Sequence, residues 1–327
     1  MVEVWIDILA VLDGTARLAT PLMFCAMAGL VSERSGIVDI GLEGKLLAGA
    51  FAAAAFTTLS GSPWAGLAAA LASSTVLALV HGFACITHRG EQIISGVAIN
   101  ILALGMTVVV ANALFRHGGH TPALGAGERF APIALPLVET LRALPLVGPL
   151  YAELISGHNL LVYAAFMSVP LVWWLLWRTR FGLRLRAAGE LPEAVDSVGV
   201  SVPALRYRGI LIAGLLCGLA GAYLSTAHGA GFVREMSAGK GFLALAALIF
   251  GRWKPLPVLF ACLLFGLLDT VAPRLQGVDL PLIGPVPVAL VSILPYVMTV
   301  VLLAGFFGRS IAPRALGRPF VKEHQGP

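Results

Sequence analysis

Long apolar runs alternate with short polar breaks along this chain, and the runs last roughly 20 residues without the every-other-residue alternation of a strand. Each such run predicts a helix. The first extends from about Ile6 to Leu30, with room for a separate interfacial helix before Thr15. The second ends near Leu59. The third covers Trp64 to Thr87, the fourth Gln92 to Phe115, the fifth Leu160 to Trp177 and the sixth Tyr207 to about Ala227. The next apolar piece, Phe242 to Phe250, is too short to cross a bilayer unaided. An eighth segment runs from Leu256 to about Ala272 and a ninth from Pro285 to Phe307. The expected fold class is all-α: a polytopic transmembrane helical bundle of about nine segments, within a range of eight to ten, two of them broken or short. Residues 1–327 read as a single transmembrane domain.

Two polar interruptions fall inside this pattern, one in each half. The first comprises Ser32, Glu33, Arg34, Ser35, Gly36, Asp39, Gly41, Glu43, Gly44 and Lys45. The second comprises His228, Gly229, Gly231, Arg234, Glu235, Ser237, Gly239, Lys240 and Gly241. Unwound backbone at membrane depth must face protein or water, so paired broken helices point to a transport pathway.

Basic residues set the orientation. Six arginines lie between Arg178 and Arg208, which places that loop on the cytoplasmic side. The loop reads as structured: Pro192 suits the first turn of a short helix, Glu193 sits near its positive end and Gly199 just past its last turn. Arg252 and Lys254, and a tail with Arg309, Arg314, Arg318 and Lys322, are also expected inside. The Pro- and Gly-rich stretch 117–158 lacks a positive bias and is expected outside, with apolar pieces at Ile133–Val138 and Leu144–Leu154 suited to the membrane surface. The N-terminus is then outside and the C-terminus inside.

Composition agrees with this reading. Of the residues, 58% are hydrophobic and 12% charged, and the mean hydropathy is +0.90; a soluble domain of this size needs far more charge to cover its surface. The net charge of +5 belongs to loops and tail, so it argues for orientation and not for nucleic-acid binding. Cys25, Cys85, Cys217 and Cys262 all fall in apolar runs without a C-x-x-C pair, which makes them packing residues. Glu3 and Asp7 precede the first basic residue, Arg17, the reverse of a cleavable signal peptide.

Catalytic devices are missing. The surroundings of Gly44-Lys45 and Gly239-Lys240 lack the glycine spacing and following Ser or Thr of a Walker A loop, and there is no G-x-S-x-G or H-E-x-x-H. His117 and His120, three apart in the outer loop, have the spacing of a metal pair or are parts of a solvated Gly-rich loop; the loop is the expectation, and no metal site is expected. Glu43 and Asp39 have two readings: lining a cavity or bracing a broken helix, or pairing with Arg34 or Lys45 in a local network. Asn100, with Ser95 and Gly96 a turn earlier, either contacts a polar substrate or bonds between helices. Together Glu43, Ser95 and Asn100 are candidates for a translocation pathway. Glu235 and Lys240 are either a gate or outer contact, or a solvated turn. Gly214, Gly218 and Ala222, beside Gly221, form a small-xxx-small packing face.

Three blocks carry a resemblance. The run Thr20, Pro21, Leu22 through Ser32-Glu33-Arg34-Ser35-Gly36-Ile37-Val38-Asp39-Ile40-Gly41-Leu42-Glu43-Gly44 is the first. Phe181-Gly182-Leu183-Arg184-Leu185-Arg186-Ala187-Ala188-Gly189-Glu190, with Pro192, Ala194 and Gly199, is the second. Ala238 to Ala246, with Phe250, Gly251, Arg252, Trp253 and Pro255, is the third. Together they resemble the inner-membrane permeases of ABC importers, in the nucleoside and simple-sugar subgroup of the wider set that includes ribose and branched-chain amino acid permeases. Two positions depart from the family pattern: Asp39 stands where asparagine is common, and Lys45 where an apolar, Met-like residue is common.

The resemblance implies a permease without its own nucleotide site or cofactor. ATP–Mg would be hydrolysed on a partner ATPase, docked on a coupling helix within 178–208. Arg180, Gly182, Leu183, Arg184, Arg186, Ala188, Gly189, Glu190, Pro192, Ala194 and Gly199 would form that coupling loop. Other implied partners are a second permease, homologous or a copy of this chain, an extracytoplasmic substrate-binding lipoprotein and membrane lipid, with no nucleic acid. The implied location is the bacterial inner membrane and the expected substrate a nucleoside, with a simple sugar such as a pentose as the alternative. A secondary transporter would need carboxylates deep in its spans, where Asp269 is the main candidate, and a membrane enzyme would need converging catalytic groups.

Overall fold

The computed structural model describes residues 2–136, 138, 147–275, 279–280, 284–285, 293, 297 and 312–322. Ten helices are labelled in chain order: α1 (Val2–Arg34), α2 (Leu42–Ser60), α3 (Pro63–Gly82), α4 (Gln92–Phe115), α5 (Leu160–Arg178), α6 (Arg180–Glu190), α7 (Pro192–Ser197), α8 (Val202–Tyr223), α9 (Lys240–Phe250) and α10 (Pro255–Leu275). Seven of these, α1–α5, α8 and α10, are long and apolar enough to cross a membrane, and α9 is the short apolar helix. The chain is a multi-pass, all-α membrane protein. Most of the expected ninth segment lies outside the described residues.

Helix α1 forms the axis of the bundle. It packs against α5, α8, α9 and α10. Its middle stretch, Leu22 to Ala28, is wholly buried. The structure corrects the possible break before Thr15: α1 is continuous despite Pro21. A proline inside a helix leaves the carbonyl four residues earlier without its N–H partner. Here that carbonyl belongs to Arg17, and it accepts the Tyr223 hydroxyl from α8 at 2.8 Å. The fault in one helix thus becomes a tie to another.

Small residues bring α8 close to its neighbours. A Cβ on Gly218 would stand 2.8 Å from the Leu71 Cα, and one on Gly214 would stand 2.9 Å from the Thr75 Cα, both on α3. Helices α3 and α8 therefore meet nearly backbone to backbone. Helix α4 lies at the edge and exposes Ile94, Ile101 and Val109.

Helix α8 starts five residues earlier than the apolar pattern suggests. Ser201 caps it by accepting the Ala204 N–H, and Pro203 occupies its first turn. Arg206 and Arg208 therefore belong to a spanning helix and not to the arginine loop, and Arg206 is buried.

Candidate coupling surface and buried junction

The first interruption is an extended segment that enters the bundle. After α1 ends at Arg34, residues 35–41 run alongside α4 before α2 begins at Leu42. The Ile40 carbonyl meets Asn100, which is eight residues into α4, about 12 Å along it at 1.5 Å per residue. Non-helical backbone at such depth must have its polar groups satisfied by protein. Gln92 accepts the Val38 N–H at 2.6 Å. The Val38 carbonyl lies 3.0 Å from His81 Nε2, and the other ring nitrogen lies 3.0 Å from Ser95 Oγ. The Asn100 amide donates to the Ile40 carbonyl at 3.0 Å and accepts the Gly44 N–H at 2.7 Å. Asp39 and Lys45 form an ion pair of 2.6 Å beside them, with neither side chain exposed.

Glu43 joins this segment to the second interruption. Its two carboxylate oxygens accept the N–H groups of Gly239 at 2.9 Å and Gly241 at 2.6 Å. These are free donors at the N-terminus of α9, where a negative charge is also favoured by the helix dipole. The approach requires glycine: a Cβ on Gly241 would lie 2.5 Å from the Glu43 nitrogen. Helix α9 has 11 residues, about 16 Å, half of a bilayer core. Its far end is tied to α1, since the Trp253 indole donates to Glu33 at 2.6 Å and Arg34 donates to the Trp253 carbonyl at 2.8 Å.

The arginine loop folds as two helices where the sequence pattern indicated one. Thr179 caps α6 by accepting the Gly182 N–H at 3.0 Å. Gly182, Leu185, Ala188 and Gly189, at three- and four-residue spacing, form its buried face, while Arg180, Leu183 and Arg184 are exposed. Pro192 opens α7 as expected, and the helix stops at Ser197, two residues before Gly199. Ala194, Gly199 and Glu190 are exposed; Arg186 is half-buried, donates to the Leu176 carbonyl at 3.0 Å and stacks over Trp177. Exposed Leu183, Leu191 and Val198 line a groove of about 600 Å³ between α6 and α7. The buried face rests directly on α1, because a Cβ on Gly189 would overlap the Arg34 carbonyl oxygen.

Residues 11–303 match the family described as "Branched-chain amino acid transport system / permease component". The chain belongs to this family. A guanosine ABC transporter permease of Bacillus subtilis is 37% identical over 95% of this chain and 96% of that protein. A nucleoside ABC transporter permease of Lactococcus lactis is 34% identical, covering 93% and 94%. A second guanosine ABC transporter permease of Bacillus subtilis is 29% identical, covering 85% and 77%.

In this permease Glu43, Ser95 and Asn100 come together around the entering segment, and all three are engaged by protein groups. Glu235 lies elsewhere, exposed and 3.3 Å from the equally exposed Arg234, a pairing that contributes little. Lys240 is the first residue of α9 and is half-buried. Asp39 pairs with Lys45, whereas Arg34 turns to Trp253 and to Glu190, 3.8 Å away. Sequence reasoning missed Gln92, His81 and Arg206. Gln92 opens one apolar run and His81 lies within another, a weak signal that became specific only once the backbone they hold was seen.

Proposed function

We propose that this permease is the membrane-spanning subunit of an ATP-binding cassette importer for nucleosides, one domain over residues 1–327. Residues 178–208 lie on the cytoplasmic side with the C-terminus, and 117–158 lie outside. The contact that carries the reading is Gly189 on the Arg34 carbonyl: it anchors the buried face of α6 to the axial helix, while the α6–α7 groove on the opposite side stays open to solvent. The three relatives, all nucleoside or guanosine ABC transporter permeases, support the substrate class.

In this reading an ATPase seats Leu183, Leu191 and Val198 in its own cleft, with Arg180 and Arg184 at the rim. ATP–Mg and its hydrolysis belong to that partner. Movement of α6 bears on the end of α1, passes through residues 35–41 to Glu43, and reaches α9. Helix α9 and the charged turn at Arg234 and Glu235 then border the pathway, where charge at membrane depth is tolerated beside water. A second permease, a homologue or a copy, closes the other side, and a lipoprotein delivers nucleoside from outside the bacterial inner membrane.

The test is purification of the chain from its native membrane, followed by ATPase assays with and without purine nucleosides plus the soluble binding protein. Nucleoside-stimulated hydrolysis by a co-purified ATPase is expected. A chain without any ATPase that moves nucleoside under an ion gradient overturns the reading.

A further inference from the structure

The described C-terminal residues, 312–322, are bound to the coupling surface through residues 314–318. The Ala315 N–H donates to the carbonyl of Gly189, the last-turn residue of α6 that touches α1, at 2.9 Å. The Arg314 N–H donates to the Glu190 carboxylate at 3.3 Å. Two residues past Ala315, the Gly317 N–H donates to the Gly36 carbonyl, in the turn that opens the entering segment, at 3.2 Å. The Arg318 carbonyl accepts from Arg206 at 3.1 Å, and the same guanidinium donates to the Ser35 carbonyl at 3.2 Å. Pro313 and Ala315 are buried, and Ala312, Leu316 and Phe320 pack on the main core.

These bonds share a pattern. Within four residues, 315–318, the segment reaches the end of α6, the turn after α1 and the start of α8. Each point is one that the proposed motion must keep together. Arg206 is 1% exposed, so its charge depends on the carbonyls around it, and one of the two it reaches is supplied by this segment. We infer that residues 312–322 are a strap that makes the coupling helix, the Gly36 turn and the base of α8 move as one body. Its role is positioning: it makes the push on α6 arrive at the entering segment instead of being absorbed by hinging at Glu190–Leu191. This inference rests on the importer reading above.

The experiment uses the assembled transporter with its ATPase and binding protein. One variant ends at Ile311. A second, Ala315→Pro, removes the N–H that bonds Gly189 and also stiffens the 314–317 turn, and Ala315→Ser, which keeps that N–H, is compared with it. Co-purified ATPase, basal hydrolysis, stimulation by nucleoside-loaded binding protein and uptake are measured together. The expected result is that the truncated and proline variants retain the ATPase and its basal hydrolysis, lose stimulation and uptake, and that the serine variant matches the unmodified chain. A role limited to stability would lower the amount of complex and leave the stimulation ratio intact, which overturns the strap. Unchanged stimulation in both variants also overturns it. Absence of any ATPase from the unmodified chain overturns the importer reading and the strap with it.

Discussion

Asp39 and Lys45 face each other at 2.6 Å with neither side chain exposed to solvent. They occupy the two positions at which this chain departs from the pattern it otherwise resembles, and the structure makes the departures one change. A buried charge without its partner is costly, whereas removing both charges together is often neutral. Asp39→Asn alone, or Lys45→Met alone, is expected to destabilise the permease by about 3–5 kcal/mol. The double variant is expected to recover most of that. Thermal unfolding of the four proteins in detergent checks this; additive losses in the double variant would refute the coupling.

Glu43→Gln keeps the size of the side chain but offers one acceptor oxygen to two N–H donors. The donor left over is part-buried at the start of α9, a loss of about 1 kcal/mol. The expected phenotype is normal assembly with ATPase, a lower unfolding temperature and reduced uptake. A melting curve that superimposes on the unmodified one would show that the bonds to Gly239 and Gly241 contribute nothing.

Gly189 admits no side chain against the Arg34 carbonyl. Gly189→Val, or Glu190→Lys with its inverted charge beside Arg34, should leave membrane insertion intact and uncouple ATP hydrolysis from transport. Forcing extra carbons into packed space costs about 1–3 kcal/mol, so the helix is expected to shift rather than the bundle to unfold. Uptake at the normal rate by the Gly189→Val variant would remove α6 from the coupling path.

Tyr223→Phe strips the donor from the carbonyl that Pro21 leaves unbonded on Arg17. Interhelical hydrogen bonds of this kind contribute about 0.6 kcal/mol on average, up to about 1.7. The loss should shrink in a Pro21→Ala background, where the backbone of α1 can supply its own N–H. Equal losses in both backgrounds, read by thermal unfolding, would break the link between the tyrosine and the proline.

The membrane segments were legible because apolar runs of bilayer length leave few alternatives, and Pro192 with Gly199 marked α7 by local chemistry alone. The boundary at Val202 was misplaced because Arg206 and Arg208 look like loop residues; the helix keeps Arg206 buried by giving it backbone carbonyls from Ser35 and Arg318. The two interruptions were visible as breaks, but not their meeting. The pairing of Glu43 with Gly239 spans 196 positions, and no periodicity encodes a contact of that range. Asn100 shows the same limit: a lone polar residue in a span reads equally as a substrate contact or a brace, and nothing in the pattern announces the carbonyl of Ile40 and the N–H of Gly44 that it bonds.

The long reach of Glu43 bears on how the protein is made. Its carboxylate is made with α2, while Gly239 and Gly241 are still to be translated, 196 and 198 residues later. At roughly 5–20 residues per second, the acid waits roughly 10–40 s for the N–H groups that bond it. The first turn of α2 is therefore expected to stay in contact with water during that interval. A Cys substituted at position 43, in a nascent chain arrested before residue 239, should be open to a water-borne maleimide and closed to it once α9 is in place.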